Sequence, residues 1–132
     1  MRINKLTVEN FRCFKHQEFP FSPRFNVLAG DNGTGKTAVL EAIAVGTGAF
    51  LQEFVTSPSH ARPFQPRDAH VVNHRFNQEV TAERQFPVVV RCEGEIDGHS
   101  YNWDRVWKSA RGRGTGQPKT EIASFASDLS YQ

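Results

Sequence analysis

Eight consecutive residues, Gly30-Asp31-Asn32-Gly33-Thr34-Gly35-Lys36-Thr37, satisfy the pattern G-x-x-x-x-G-K-S/T in full, and they constrain the fold more than anything else in the chain. The pattern has a mechanical requirement: a strand must deliver the loop and a helix must begin where it ends. Upstream, Phe25 to Ala29 is a short apolar run, which predicts a strand covered on both faces in a parallel sheet. Downstream, Val39, Leu40, Ile43, Ala44, Phe50, Leu51 and Phe54 recur at three- and four-residue spacings, which predicts a helix with one broad apolar face. Between them the glycines let the backbone curl until successive N–H groups converge. Such a concavity, backed by the positive end of a helix dipole, suits a polyphosphate.

Side-chain chemistry assigns the roles within this Walker A pattern. Lys36 is a flexible point charge able to reach the outer phosphates, and the Thr37 hydroxyl is a hard oxygen suited to Mg²⁺. Gly30, Asn32, Gly33, Thr34, Gly35 and Ala38 complete the cradle, with the N–H groups from Gly33 to Ala38 around the inner phosphates. ATP with Mg²⁺ is the ligand pair this predicts.

Composition narrows the rest. A chain of 132 residues has room for one domain with a real core. Sixteen Lys and Arg against fourteen Asp and Glu leave a formal charge of +2, too small to argue for a nucleic-acid partner by itself. Residues 1–10 lack the apolar segment of a signal peptide, and no run approaches membrane-spanning length. Two cysteines far apart, Cys13 and Cys92, do not indicate a disulfide framework, so a reduced, cytoplasmic protein without membrane contact is expected.

Along the chain, residues 2–9 alternate as a strand, Lys15 to Phe19 reads as a second, and together they predict an antiparallel pair before the phosphate loop. Thr56 to Arg67, with three prolines, reads as a long loop. His70 and His74 stand four apart, yet nothing at ligand spacing completes a metal site. Asn73 to Arg84 is polar and reads as a surface helix or a loop. Phe86 to Glu95, Asp97-Gly98 and the alternation Tyr101, Trp103, Arg105, Trp107 predict a β-hairpin whose aromatic stripe packs on the core. A base-stacking role for that stripe is the competing reading. Ser109 to Lys119 reads as a basic turn, and Thr120 to Leu129 as the start of a capped helix that the chain's end cuts short.

The opening Ile3-Asn4-Lys5-Leu6-Thr7-Val8-Glu9-Asn10-Phe11-Arg12, the loop with its internal Asn32-Gly33, and the helix start Ala38-Val39-Leu40-Glu41-Ala42-Ile43 together resemble the amino terminus of the RecF/SMC-like branch of ABC ATPases. The segment Val45 to Leu51 and the hairpin Gly94-Glu95-Ile96-Asp97-Gly98…Trp103-Asp104-Arg105 are similar to bacterial AAA or ABC-like ATP-binding proteins, some from anti-phage defence loci. The resemblance implies an α/β P-loop NTPase of ABC/RecF-like type: an amino-terminal lobe spanning residues 1–132, with a parallel sheet and an antiparallel β subdomain. It implies an ATPase of DNA repair or phage defence, acting on DNA or RNA. Two such domains, a second copy or a partner, would face each other head to tail around ATP. It also places Arg12 near the nucleotide phosphates, against the plainer reading of a surface arginine after a strand, and Arg67-Asp68 near the base or ribose.

The signature motif, the Mg²⁺ carboxylate with its catalytic glutamate, and the switch histidine of that branch are missing from the sequence. No catalytic residue is therefore assigned, and the chain alone is expected to bind ATP without efficient turnover. Two other readings stay open: a complete small P-loop kinase, with arginines supplied from Arg105 to Arg113, and a non-catalytic module that touches nucleic acid or a partner protein.

Overall fold

The computed structural model describes residues 2–31, 33, 35–54 and 62–111, and for 49–54 the backbone alone. Four strands form one antiparallel sheet in the order β2-β1-β5-β6: β1 (Arg2–Phe11), β2 (Phe14–Pro20), β5 (Val88–Ile96) and β6 (His99–Trp107). A separate two-stranded ribbon, β3 (Val71–Phe76) and β4 (Glu79–Arg84), lies between them in sequence. One helix, α1 (Lys36–Phe54), covers the sheet.

Register explains the core. Side chains on one face of a sheet alternate with period two, and the paired rows Leu6/Cys92/Trp103, Val8/Val90/Arg105 and Val88/Trp107 all fall on the face turned to α1. Every residue in these rows is buried. Cys92 sits so deep that burial pushes its thiol up to about 12. The hairpin turn Asp97-Gly98 carries positive φ at both positions, +50° and +79°, as its sequence predicts. The aromatic stripe belongs to the core: Trp107 meets Phe86 edge-on at 5.0 Å, and Trp103 Nε1 donates to the Gly46 carbonyl of α1 at 3.0 Å.

The helix buries Ala38, Val39, Ala42, Val45 and Gly46, an i, i+1, i+4, i+7, i+8 stripe. Leu40 is not part of it and is 58% exposed, because it stands two residues, about 200° of helical rotation, from Ala42 at the centre of the face. Gly46 lets the helix approach the sheet closely, since a Cβ there would lie 2.5 Å from Cys92 Sγ.

Two of the expected elements are overturned. Phe25 to Ala29 is not a strand: the segment pairs with nothing among the described residues, and Phe25 and Val27 are 78% and 72% exposed. An apolar run becomes a strand only beside another strand that takes its backbone hydrogen bonds. The described sheets are wholly antiparallel, and neither lies alongside this segment. Residues 73–84, read as helix or loop, fall within the β3–β4 ribbon, turned by Asn77 and Gln78 at φ +47° and +67°. Its side chains are exposed on both faces, so the alternation that marks a half-buried strand is absent from its sequence. The basic turn from residue 112 onward, the helix expected over Thr120 to Leu129, and residues 56–61 of the long loop lie outside the described residues.

Candidate nucleotide-phosphate site

At the amino end of α1 the first bond of the helical ladder runs from Val39 N–H to the Gly35 carbonyl at 3.0 Å. The preceding amides, Lys36, Thr37 and Ala38, belong to the first turn, whose N–H groups have no partner within a helix. Gly33 and Gly35 hold φ of +89° and +100°, the left-handed region that glycine enters without cost. At Gly35 a side chain is also excluded by space, because a Cβ would lie 2.6 Å from Phe14 Cζ and 3.0 Å from Cys13 Sγ. The loop thus rests on the β1–β2 turn. Lys36 Nζ donates to the Gly30 carbonyl, so its ammonium is folded back across the loop.

A cavity of about 380 Å³ opens here, lined by Arg12, Cys13, Gly33, Gly35, Lys36, Thr37 and Ala38. Its size falls within the range of small-ligand sites, about 300–1,000 Å³. Five of these residues are the predicted cradle, and Arg12 joins them from the two-residue turn between β1 and β2. Arg12 sits at φ +50°, and its backbone is held on both sides: its N–H donates to the Asp68 carbonyl at 2.6 Å and its carbonyl lies 2.5 Å from His70 Nδ1. Gly30 does not line the cavity, and Asn32 and Thr34 lie outside the described residues.

Behind Arg12 lies a charged cluster that sequence reasoning missed. Asp68, fully buried, receives Arg62 at two points, Nη1 to Oδ2 at 2.9 Å and Nη2 to Oδ1 at 3.0 Å, and Arg12 Nε at 3.3 Å on Oδ1. It also accepts the Gln65 amide at 2.8 Å, closing the single 3₁₀ turn Pro66–Asp68. Glu41, on α1, takes Arg62 Nε at 2.5 Å, with Arg12 Nη2 and Arg67 Nη2 each at 3.7 Å. Burial alone would raise the Asp68 carboxyl, but the hydrogen bonds of Arg62 and the Gln65 amide, the charge of Arg62 and the bond from Arg12 outweigh it, leaving it below its ordinary range. Burial opposes the charge on Arg62 too, and Asp68 and Glu41 more than restore it. Asp68 is therefore not a base or ribose ligand, since its carboxylate is enclosed by its own chain. The signal in sequence was the turn Gln65-Pro66-Arg67-Asp68, with proline first and aspartate third, which announces a cap but not its burial.

A family model described as an AAA domain matches residues 5–130. This chain belongs to that AAA-domain family. Relatives of the AAA domain include the DNA replication and repair protein RecF of Salmonella newport (strain SL254), 33% identical over 107 residues, which covers 75% of this chain and 29% of RecF. Structural maintenance of chromosomes protein 6 of Saccharomyces cerevisiae is 43% identical over 51 residues, 39% of this chain and 5% of that protein. The chain thus spans under a third of the length of either relative. A solved structure from work on ATP-driven dimerization and DNA-stimulated activation of SMC ATPases aligns over 98% of this chain and 80% of its own, with 20% identity and a TM-score of 0.44.

His70 and His74 do not converge in this AAA domain: His70 faces the Arg12 carbonyl, and His74 Nε2 pairs with Glu83 across the β3–β4 ribbon at 2.8 Å. No helix among the described residues is long and apolar enough to cross a membrane.

Proposed function

We propose that this AAA domain binds ATP with Mg²⁺, as the amino-terminal lobe of an ATPase that acts in DNA repair or maintenance. Lys36 would meet the outer phosphates, the loop from Gly30 through Asn32, Gly33, Thr34 and Gly35 to Ala38 would wrap the phosphate chain, and Thr37 would give Mg²⁺ its hydroxyl. The observation that carries the reading is that Arg12, remote in sequence, lines the same cavity as Gly33, Gly35, Lys36, Thr37 and Ala38. An arginine and a lysine lining one cavity at a helix amino terminus suit a polyphosphate.

Turnover would need groups from elsewhere. Glu41 and Asp68 are committed to arginines, so neither stands as the carboxylate that completes a Mg²⁺ shell. As the resemblance to RecF/SMC-like proteins implies, the Mg²⁺ carboxylate and catalytic glutamate would come from a later part of the same ATPase domain, and a second ATPase domain facing this one head to tail would add the signature motif, with DNA as the polymer acted upon. RecF is by name a replication and repair protein, which favours DNA maintenance. A role in phage defence is a narrower form of the same reading. The antiparallel order β2-β1-β5-β6 does not support a small kinase, in which strands alternate with helices.

Calorimetry with MgATP on this chain and on Lys36→Ala, with phosphate release followed in the same samples, tests the reading. The expected result is binding weakened about 10- to 100-fold by the substitution, the worth of a charge-assisted contact, and no turnover by either protein. Binding indifferent to Lys36 would sink the assignment.

A further inference from the structure

We infer that Asp68 is a positioning residue for nucleotide binding: it holds the Arg12 guanidinium at the wall of the phosphate cavity before any ligand arrives. The inference rests on the ATP-binding reading above and adds to it a residue that never touches the ligand.

Asp68 grips Arg12 twice, by backbone at 2.6 Å and by carboxylate at 3.3 Å. The grip leaves part of the guanidinium unused. Arg12 Nη2 is buried with no hydrogen-bond partner among the described residues, and the nearest carboxylate oxygen in its ion pairs, on Glu41, is 3.7 Å away, beyond hydrogen-bond range. The Arg12 side chain as a whole remains 19% exposed and lines the cavity, so a phosphate oxygen there would meet a guanidinium that is already held in place. The cluster's charge agrees: Arg12, Arg62 and Arg67 against Glu41 and Asp68 is three cations to two anions, one positive charge in surplus beside the cavity. A free arginine loses rotamer freedom when it is fixed. Asp68 fixes Arg12 at the folding stage, so that loss is not charged to binding.

Arg62 makes the grip firm. Its fork occupies both Asp68 oxygens and its Nε holds Glu41, so the carboxylate cannot swing away from Arg12. Its own carbonyl accepts Arg105 Nη1 at 2.7 Å, which ties the cluster to β6 in the sheet.

The test is a double-substitution cycle on MgATP affinity with Arg12→Ala, Asp68→Asn and the pair, each checked for folding by thermal melting. Asn keeps an acceptor for the Gln65 amide but lacks the charge that holds Arg12. Arg12→Ala should weaken ATP roughly tenfold. Asp68→Asn should weaken it severalfold, and the pair should be no weaker than Arg12→Ala alone. A merely structural Asp68 would lower the melting temperature and leave affinity unchanged, or its loss would multiply with that of Arg12; either overturns the inference. Should Asp68→Asn not fold, Arg12→Lys tests the same geometry. An ammonium keeps the charge but cannot span Asp68 and a phosphate together, so the loss should match Arg12→Ala, and wild-type affinity would refute positioning. No MgATP binding by the unsubstituted chain, or binding that Lys36→Ala does not disturb, overturns the site and this role together. Lys36-dependent binding that ignores Asp68→Asn overturns the role alone.

Discussion

Asp68 and Cys92 are both buried ionisable groups, and their surroundings drive them to opposite states. The Asp68 carboxyl is held below its ordinary value of 3.8, so the unfolded chain binds its proton more readily than the native one. Its contribution to stability is complete above that value and is lost as pH falls through the lower native one. Urea unfolding of the native chain and of Asp68→Asn from pH 6 downward should therefore show a gap that is constant until about pH 4 and then closes. A gap independent of pH would mean that the carboxylate charge is not what Asp68 contributes. Cys92, whose thiol is pushed up to about 12 by burial, stays protonated and enclosed, whereas Cys13 is exposed at the cavity rim. A thiol reagent at neutral pH should titrate one cysteine in the native protein and two in denaturant.

Among the elements, the β5–β6 hairpin and α1 carry most of the core, and their interface concentrates on Trp103. Its indole spans from the sheet to the Gly46 carbonyl and is almost wholly buried. Trp103→Ala should cost about 3–5 kcal/mol in chemical denaturation, whereas Leu40→Ser, on the outer face of α1, should stay within about 0.5 kcal/mol. These elements were legible in the sequence because local signals sufficed: Asp97-Gly98 for the turn, period-two aromatics for β6, glycine and lysine spacing for the loop and the start of α1. The β3–β4 ribbon was not, since a strand pair exposed on both faces leaves no hydrophobic alternation to read. Phe25 to Ala29 misled for the opposite reason, its apolar pattern being strong while the pairing that makes a strand lies outside the segment. Arg12 was named through its place in the Asn-Phe-Arg element of the family resemblance, and it lines the cavity. Asp68 was missed because its value comes from Arg12 and Arg62, 56 and 6 residues away, which no local pattern reports.

At the scale of the molecule, the sheet is covered by α1 on one side, while the segment entering the phosphate loop stands outside the core. Replacing Phe25 and Val27 together by serine should leave the unfolding free energy within about 0.5 kcal/mol per site, where a buried strand would lose several. A denaturant midpoint clearly below that of the parent would restore the buried reading.

The turn at Asn10 to Arg12 joins parts of the chain that are far apart in sequence: Phe11 bridges Ala69, Asn10 Nδ2 donates to the Pro87 carbonyl at 2.9 Å, and β1 pairs with β5 from Arg2↔Glu95 to Glu9↔Val89. Closing so long a loop is slow, whereas β5 and β6 meet across two residues. The order of folding follows. Pulse-labelled amide exchange should find β5 and β6 protected first and β1 with the 66–70 turn last, so the phosphate cavity is the final part of the protein to exist; protection of β1 ahead of β6 would reverse that order. A chain emerging residue by residue would then carry its phosphate loop long before it has a pocket, and nucleotide would arrive as a ligand of the finished fold rather than a template for it.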